Sequence, residues 1–321
     1  MSNKSVLKGA MMCLMASVAW GAMFPVAESA FSYVDPTYFS VLRYSIVSVL
    51  MLVLLGVKEG KKSLRLDGRG KALWFYGTMA FTVYSLLMFW GQNMLGTSGV
   101  ILASVLEAQM PIISVMLFWM FNRRKPRPLT IWCMIAAFIG CLMIITKGDV
   151  SAFMLDGSGI FPVLLMFAGV VGWVLYTNGG QAFSDWSVLR YSALSCALGT
   201  ATLIAAAAFM TAFGFSSAPS IEDVASIGYE LGFMVLIAGV VALICWNSGI
   251  KLLTPINGIL FINFVPVTTF IITALQGHRI TFHDAAGTLL IIAALVANNI
   301  YQRWLAARPA SGIPMEGQSA G

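Results

Sequence analysis

Glu107 is the only acidic residue deep inside one of this chain's long apolar runs. An ionisable group in hydrocarbon costs about 3 kcal/mol or more and usually faces a cavity or a partner. Pro111 follows four residues later, so the two share one helix face. Pro111 has no N–H, and the Glu107 carbonyl therefore loses its intrahelical donor. A free carbonyl beside a carboxyl makes a polar patch on a locally opened helix. Such a patch could exchange protons or pair with a substrate ammonium. The alternative is a protonated carboxyl hydrogen-bonded to a neighbouring helix.

Other residues could share that chemistry. Asn263 lies three residues before Pro266, at nearly the counterpart of Glu107 in the second half. Gln92 with Asn93, and Asn247, extend the polar set, although intramembrane amides also serve as plain helix–helix hydrogen bonds. Trp20, Trp90, Trp173 and Trp246, with Tyr84 and Tyr176, are the aromatic candidates. Trp90 and Trp246 sit several residues inside their runs beside amides, where cavity lining competes with interfacial anchoring. Arg43 and Arg190 are expected to be structural, snorkelling or pairing with Glu28 or Asp35 and with Asp185. Gly228 and Gly232, four apart, suggest close helix packing.

Ten apolar runs must position these groups, at about 6–27, 36–57, 72–95, 99–121, 129–146, 159–177, 187–210, 229–250, 256–276 and 285–305. Each approaches the roughly 20 residues that span a bilayer as a helix. The 321-residue chain is 59% hydrophobic and 10% charged, far below the quarter charged of soluble domains. The runs are continuous rather than alternating, which excludes a transmembrane barrel. With Lys4 and Lys8 ahead of it and no small-residue cleavage site, the first run is expected to be retained. With an even number of spans both termini share a side. The loops on that side carry 15 Lys and Arg, the opposite loops only Lys147 and Arg279. Positive-inside asymmetry then makes both termini cytoplasmic. The net charge of +6 thus reports topology and not nucleic-acid binding.

The hexapeptide Ser-Val-Leu-Arg-Tyr-Ser occurs at 40–45 and again at 187–192, 147 positions apart. Trp20 answers Trp173, Trp90 answers Trp246, and Pro111 answers Pro266. The chain is therefore two related halves of five spans each. Five is odd, so the second half must cross in the opposite sense, as in secondary transporters with inverted repeats.

Catalysis finds little support. Gly96-Thr97-Ser98-Gly99 matches an intramembrane serine-protease pattern, yet the only histidines, His278 and His283, lie in a loop, and Ser98 reads better as a turn and helix cap. No zinc, P-loop or dinucleotide motif occurs. All five cysteines fall inside runs, without a Cys-x-x-Cys pair, which argues against disulfides and metal.

The chain resembles the drug/metabolite transporter superfamily in its EamA branch over about residues 8–305. The likeness rests on Ala19-Trp20-Gly21-Ala22-Met23-Phe24, the aromatic–Arg pattern of the second run and Gly96-Thr97-Ser98-Gly99 with Pro111 beyond it. Leu253-Thr254-Pro255-Ile256-Asn257-Gly258 with Pro266 echoes this in the second half. Many relatives carry a Glu directly before the mid-span proline, where Met110 and Val265 stand here. The resemblance implies that spans 3, 4, 8 and 9, with 1 and 6, line a central pathway. It also implies export of amino acids or related metabolites.

The expected molecule is an all-α integral membrane protein with ten transmembrane helices in two inverted five-helix repeats. Residues 1–150 form the first repeat, 151–305 the second, and 306–321 a disordered cytoplasmic tail. Its function is secondary transport by alternating access, in a bacterial-type inner membrane, with proton exchange permitted by Glu107. A non-transporting sensor or channel-like facilitator is the alternative. Its expected partners are a small-molecule substrate, the lipid bilayer and protons, with no nucleic acid, as a monomer or homodimer. No cofactor and no metal are expected. Substrate contacts are expected from Trp20, Trp90, Asn93, Glu107, Pro111, Trp173, Tyr176, Trp246, Asn247 and Asn263.

Overall fold

A computed structural model describes residues 3–122, 128–146, 160–253, 259–277 and 279–307. These are helical almost throughout, with no strand among the described residues. The first expected span is α1 (Asn3–Phe31) and the second α2 (Pro36–Glu59). Span 3 is α3 (Gly70–Gly77), a π-helical stretch (Thr78–Tyr84) and the first part of α4 (Ser85–Ala108). Span 4 is the rest of α4 with α5 (Met110–Asn122), and span 5 is α6 (Pro128–Thr146). In the second half, α7 (Ile160–Gly179) and α8 (Val188–Ala212) match spans 6 and 7. A short α9 (Ile221–Ser226) leads to span 8: α10 (Gly228–Val235), a second π-helical stretch (Leu236–Val241) and α11 (Ala242–Leu253). Span 9 is a 3₁₀ turn (Ile259–Asn263) with α12 (Phe264–Leu275), and span 10 is α13 (Phe282–Ala307).

The breaks have local causes. Spans 3 and 4 are joined at one residue, Gly96, whose φ of 54° is a left-handed value that favours glycine. A side chain at Gly99 would strike the Gln92 backbone across this corner, so both glycines are needed to fold it so tightly. Span 4 breaks again at Gln109, two residues before Pro111, as its missing N–H requires. In α1, Pro25 strips the Gly21 carbonyl of its donor; the Thr269 hydroxyl of α12 supplies one at 2.7 Å. An orphaned carbonyl in the membrane is thus satisfied by a neighbouring helix.

The outer faces are apolar. On α2, Val49, Val53 and Val57 are exposed, while Phe39, Arg43, Val47, Met51 and Leu55 form a buried row at a spacing of four. That exposed surface suits lipid. Helices approach closely where glycines meet: Gly77 packs on the backbone of Ser195 and Gly199, and Gly140 on that of Gly287. Gly228 and Gly232, expected to be such contacts, have nothing within 4 Å of where a side chain would begin.

α2 and α8, which carry the two hexapeptide copies, lie antiparallel. Ser187, at the start of α8, donates to Glu59 at the end of α2 (2.6 Å). At the other end Tyr38 and Thr211 share a hydrogen bond of 2.7 Å. Arg43 and Arg190 therefore sit toward opposite ends of the bundle. The basic loops at 123–127, the loop at 147–159, the Thr254–Gly258 part of the second-half motif and the tail from 308 lie outside the described residues; positions 306 and 307, expected to begin the tail, are still helical.

Candidate functional site

The helices converge on a small central cavity. α1 contributes Trp20 and Met23; α2 contributes Arg43, Tyr44 and Val47; the first π-helical stretch contributes Phe81 and Tyr84; α4 contributes Glu107. From the second half come Trp173 of α7, Ala238 and Gly239 of the second π-helical stretch, and Leu243 of α11. The cavity volume is about 20 Å³, room for about one water.

Its polar groups are few and deeply buried. Arg43 and Glu107 are each 2% exposed. Arg43 Nε has no hydrogen-bond partner, and the Glu107 carboxyl and Tyr84 hydroxyl interact with each other without well-formed hydrogen-bond geometry. Arg43 Nη1 contacts Met23 Sδ at 3.2 Å, and the guanidinium lies over the Tyr44 ring, 4.7 Å from its centroid. Buried polar groups are normally satisfied, so a guanidinium, a carboxyl and a phenol gathered loosely around one small space leave hydrogen-bonding capacity for something polar.

The walls are aromatic. Trp20 meets Trp173 edge to face and tilts against Trp246, with centroids 5.3 Å apart in the second contact. Trp173 also touches Tyr84 (5.1 Å) and Tyr176 (5.5 Å), and Tyr44 touches Phe81 (5.2 Å). The Trp20 indole donates to the Ala238 carbonyl at 3.1 Å. Ala238 lies in a π-helical stretch, where widened turns disturb the ordinary ladder; such stretches recur at functional sites. The two stretches occupy matching places: residues 78–84 moved by the 156 positions between Trp90 and Trp246 fall at 234–240, and the second stretch covers 236–241.

Of the expected substrate-contacting residues, Trp20, Glu107 and Trp173 line the cavity. Tyr176 and Trp246 stand behind it, each in ring contact with a lining Trp. The others do not reach it. Trp90 donates to Thr37 at 3.0 Å, in a network with Ser216 and Asp35 at one end of the bundle. Asn93 is exposed. Asn247 donates to Ser192 at 3.2 Å. Pro111 is buried one turn beyond Glu107, and Asn263 is buried with its Oδ1 unpaired, but neither lines this space. Gln92 instead donates to the Phe24 carbonyl at 2.8 Å.

Arg43 is the residue that sequence reasoning placed elsewhere. Its expected partners are engaged otherwise: Glu28 accepts from Thr97, and Asp35 caps α2 through the Thr37 amide. Arg190 also departs from expectation. It pairs with Asp67 at 2.6 Å and leaves Asp185 to Arg69. A signal for Arg43 was present: Phe39, Val47, Met51 and Leu55 repeat at intervals of four, and Arg43 is in register with them. Register with an inward apolar stripe points a charge inward.

Comparison with known proteins agrees with this architecture. The model of the EamA-like transporter family matches twice, over residues 7–146 and 160–300. The chain is similar to the uncharacterized transporter YrdR of Bacillus subtilis (strain 168), at 48% identity over 303 residues and 94% of each chain. It is also similar to the uncharacterized transporter YyaM of the same organism, at 27% identity over 279 residues, covering 86% of this chain and 88% of that one. A solved crystal structure superposes with a TM-score of 0.65 at 17% identity, covering 92% of this chain and 98% of its own, a likeness of fold.

Proposed function

The chain belongs to the EamA-like transporter family, and from that premise we propose that it carries an amino acid or related metabolite across a bacterial-type cytoplasmic membrane by alternating access. The protein is a multi-pass membrane transporter and not an enzyme. The observation that carries the finer reading is the small cavity lined by both halves, with Arg43 and Glu107 buried at its wall. A carrier needs a site that opens to one side at a time, with its polar groups satisfied by the solute in transit. A cavity walled by residues of both halves fits a carrier whose halves rock against each other. Export is the favoured direction, with both termini cytoplasmic, and Glu107 is the group available for proton exchange.

The test is flux into vesicles of purified protein, loaded with one solute and offered the same solute labelled outside. A carrier gives saturable uptake and transient counterflow. Flux that stays linear with concentration and shows no counterflow identifies a channel-like facilitator. Ligand binding without flux of the bound solute identifies a sensor.

A further inference from the structure

We propose that Arg43 selects the solute: its guanidinium binds a carboxylate on the solute, and solutes whose only charge is positive are rejected. This rests on the carrier reading above.

The argument begins with the duplicated hexapeptide. Arg190 has what a protein usually gives a guanidinium: the Asp67 carboxylate at 2.6 Å, the Arg65 carbonyl at 2.7 Å, and the Trp186 ring 4.0 Å away. Arg43 has none of the oxygen partners. Its hydrogen-bond contact is a thioether sulfur, a weak acceptor; the Nε of both arginines lacks a partner, so the difference lies in the oxygen acceptors. Glu107 lines the same space, yet the ion pairs among the described residues are Arg69–Asp185 and Arg190–Asp67. The protein therefore holds a buried guanidinium at the cavity wall with no carboxylate in salt-bridge contact, Glu107 lining the same space without pairing to it.

A buried guanidinium without an anion is unfavourable unless something supplies one. The planar fork of arginine matches the two oxygens of a carboxylate. The remaining wall takes an apolar or aromatic body: Trp20, Phe81, Trp173 and Leu243 line it. A solute with only an ammonium could meet Glu107, but it would have to sit in the field of Arg43 with nothing to offset it.

Four probes share one isobutyl group: isocaproate (carboxylate only), leucine (both charges), leucinamide and isoamylamine (ammonium only). Purified protein is titrated with each, following tryptophan fluorescence, since Trp20 and Trp173 line the site and Trp246 touches Trp20. Isocaproate and leucine should bind at least about tenfold more tightly than the two amines. Arg43→Gln should abolish that preference. Arg43→Lys keeps the charge but loses the fork, and should weaken carboxylate binding about tenfold while retaining its sign. Gel filtration and circular dichroism confirm that each variant is folded; if Arg43→Gln does not fold, Arg43→Lys carries the test.

Equal binding of isoamylamine and isocaproate overturns the proposal. So does a folded Arg43→Gln or Arg43→Lys protein with wild-type preference, silence toward both carboxylates, or a response to sodium chloride alone, which would mark an inorganic-anion site. Counterflow in vesicles separates this from the carrier reading. Arg43-dependent carboxylate binding without flux sinks the carrier and keeps the Arg43 assignment. Flux whose selectivity is unchanged in Arg43→Gln sinks the assignment and keeps the carrier.

Discussion

The indole rings of Trp20 and Trp173 meet edge to face, with centroids 5.9 Å apart and planes at 82°. These two residues are counterparts in the two halves of the sequence, and they touch at the wall of the central cavity. An aromatic pair of this geometry contributes about 0.5–1.5 kcal/mol beyond its buried area. If the halves rock against each other, this contact and the Trp20–Ala238 hydrogen bond are among those that must change.

That places Trp20 under a specific test. Trp20→Phe keeps a ring against Trp173 but removes the indole donor to Ala238. The expected loss of stability is about 1 kcal/mol, the usual net value of one hydrogen bond. Transport should change by more than stability does, because the lost bond ties α1 to the π-helical stretch across the site. Thermal melts and vesicle flux on the same preparation measure both. A melt shift with unchanged flux would make the bond ordinary packing.

Glu107→Gln should leave the fold intact, since the amide matches the carboxyl in shape and no salt bridge is lost. Transport should lose its pH dependence or most of its rate, because an amide can neither release a proton nor meet an ammonium. Flux measured across a pH series at equal expression decides this. An unchanged profile would reduce Glu107 to a packing residue.

Gly199→Leu should destabilise severely. A side chain there strikes the Gly77 carbonyl and the Phe81 side chain, where α8 meets α3 and the first π-helical stretch. Overpacking of this kind typically costs about 1–3 kcal/mol, and contact with backbone leaves little room to relax. The same substitution at Gly232, which has open space around it, should be tolerated. Detergent melts of the two variants provide the comparison.

Single-cysteine labels test topology. Lys62 follows α2 and Glu222 follows α8, and the basic asymmetry puts the first inside and the second outside. An impermeant thiol reagent on intact cells should therefore label position 222 and spare 62. Labelling of both from outside would sink the expected orientation.

The Arg69–Asp185 ion pair, at 2.7 Å, joins the loop before α3 to the loop before α8, outside the spans. The Arg69 guanidinium holds the Asp185 carboxyl below its usual range. A carboxylate depressed in this way stabilises the fold above its unfolded pKa of about 3.9 and loses that contribution as pH falls through the folded value. Asp185→Asn should therefore remove part of the acid sensitivity of the melt and change little between about pH 5 and 8, because exposed pairs contribute little. Melts of both proteins at descending pH check the sign.

Much of the architecture was legible in the order of residues. Run length and continuity specify membrane helices, because no other regular structure satisfies its backbone in lipid when the apolar stretch is unbroken. The repeated hexapeptide and the paired tryptophans and prolines reveal two halves. Pro25 and Pro111 mark where carbonyls lose their ordinary intrahelical donors, and Glu107 stands out because an acid in hydrocarbon needs a reason. The role of each candidate was less legible: Trp90, Asn93 and Asn247 have the right chemistry in the right runs, yet side-chain direction sends them elsewhere.

The two copies of Ser-Val-Leu-Arg-Tyr-Ser show most plainly what only the tertiary structure decides. Ser187 caps α8, accepting from the Arg190 amide at 2.9 Å, so Arg190 lies in the first turn and reaches the loop at Asp67. In the first copy α2 already begins at Pro36, with Asp35 as its cap, and Ser40 lies inside the helix, donating to the Pro36 carbonyl. Those extra residues carry Arg43 about one and a half turns deeper, at about 1.5 Å of rise per residue. The same six letters then yield a loop-facing ion pair in one half and a buried cation at the central cavity in the other. Local sequence specifies the helix and its charge. Where the helix starts, and what the opposing half places against it, determines whether that charge meets a carboxylate of the protein or is left facing the cavity.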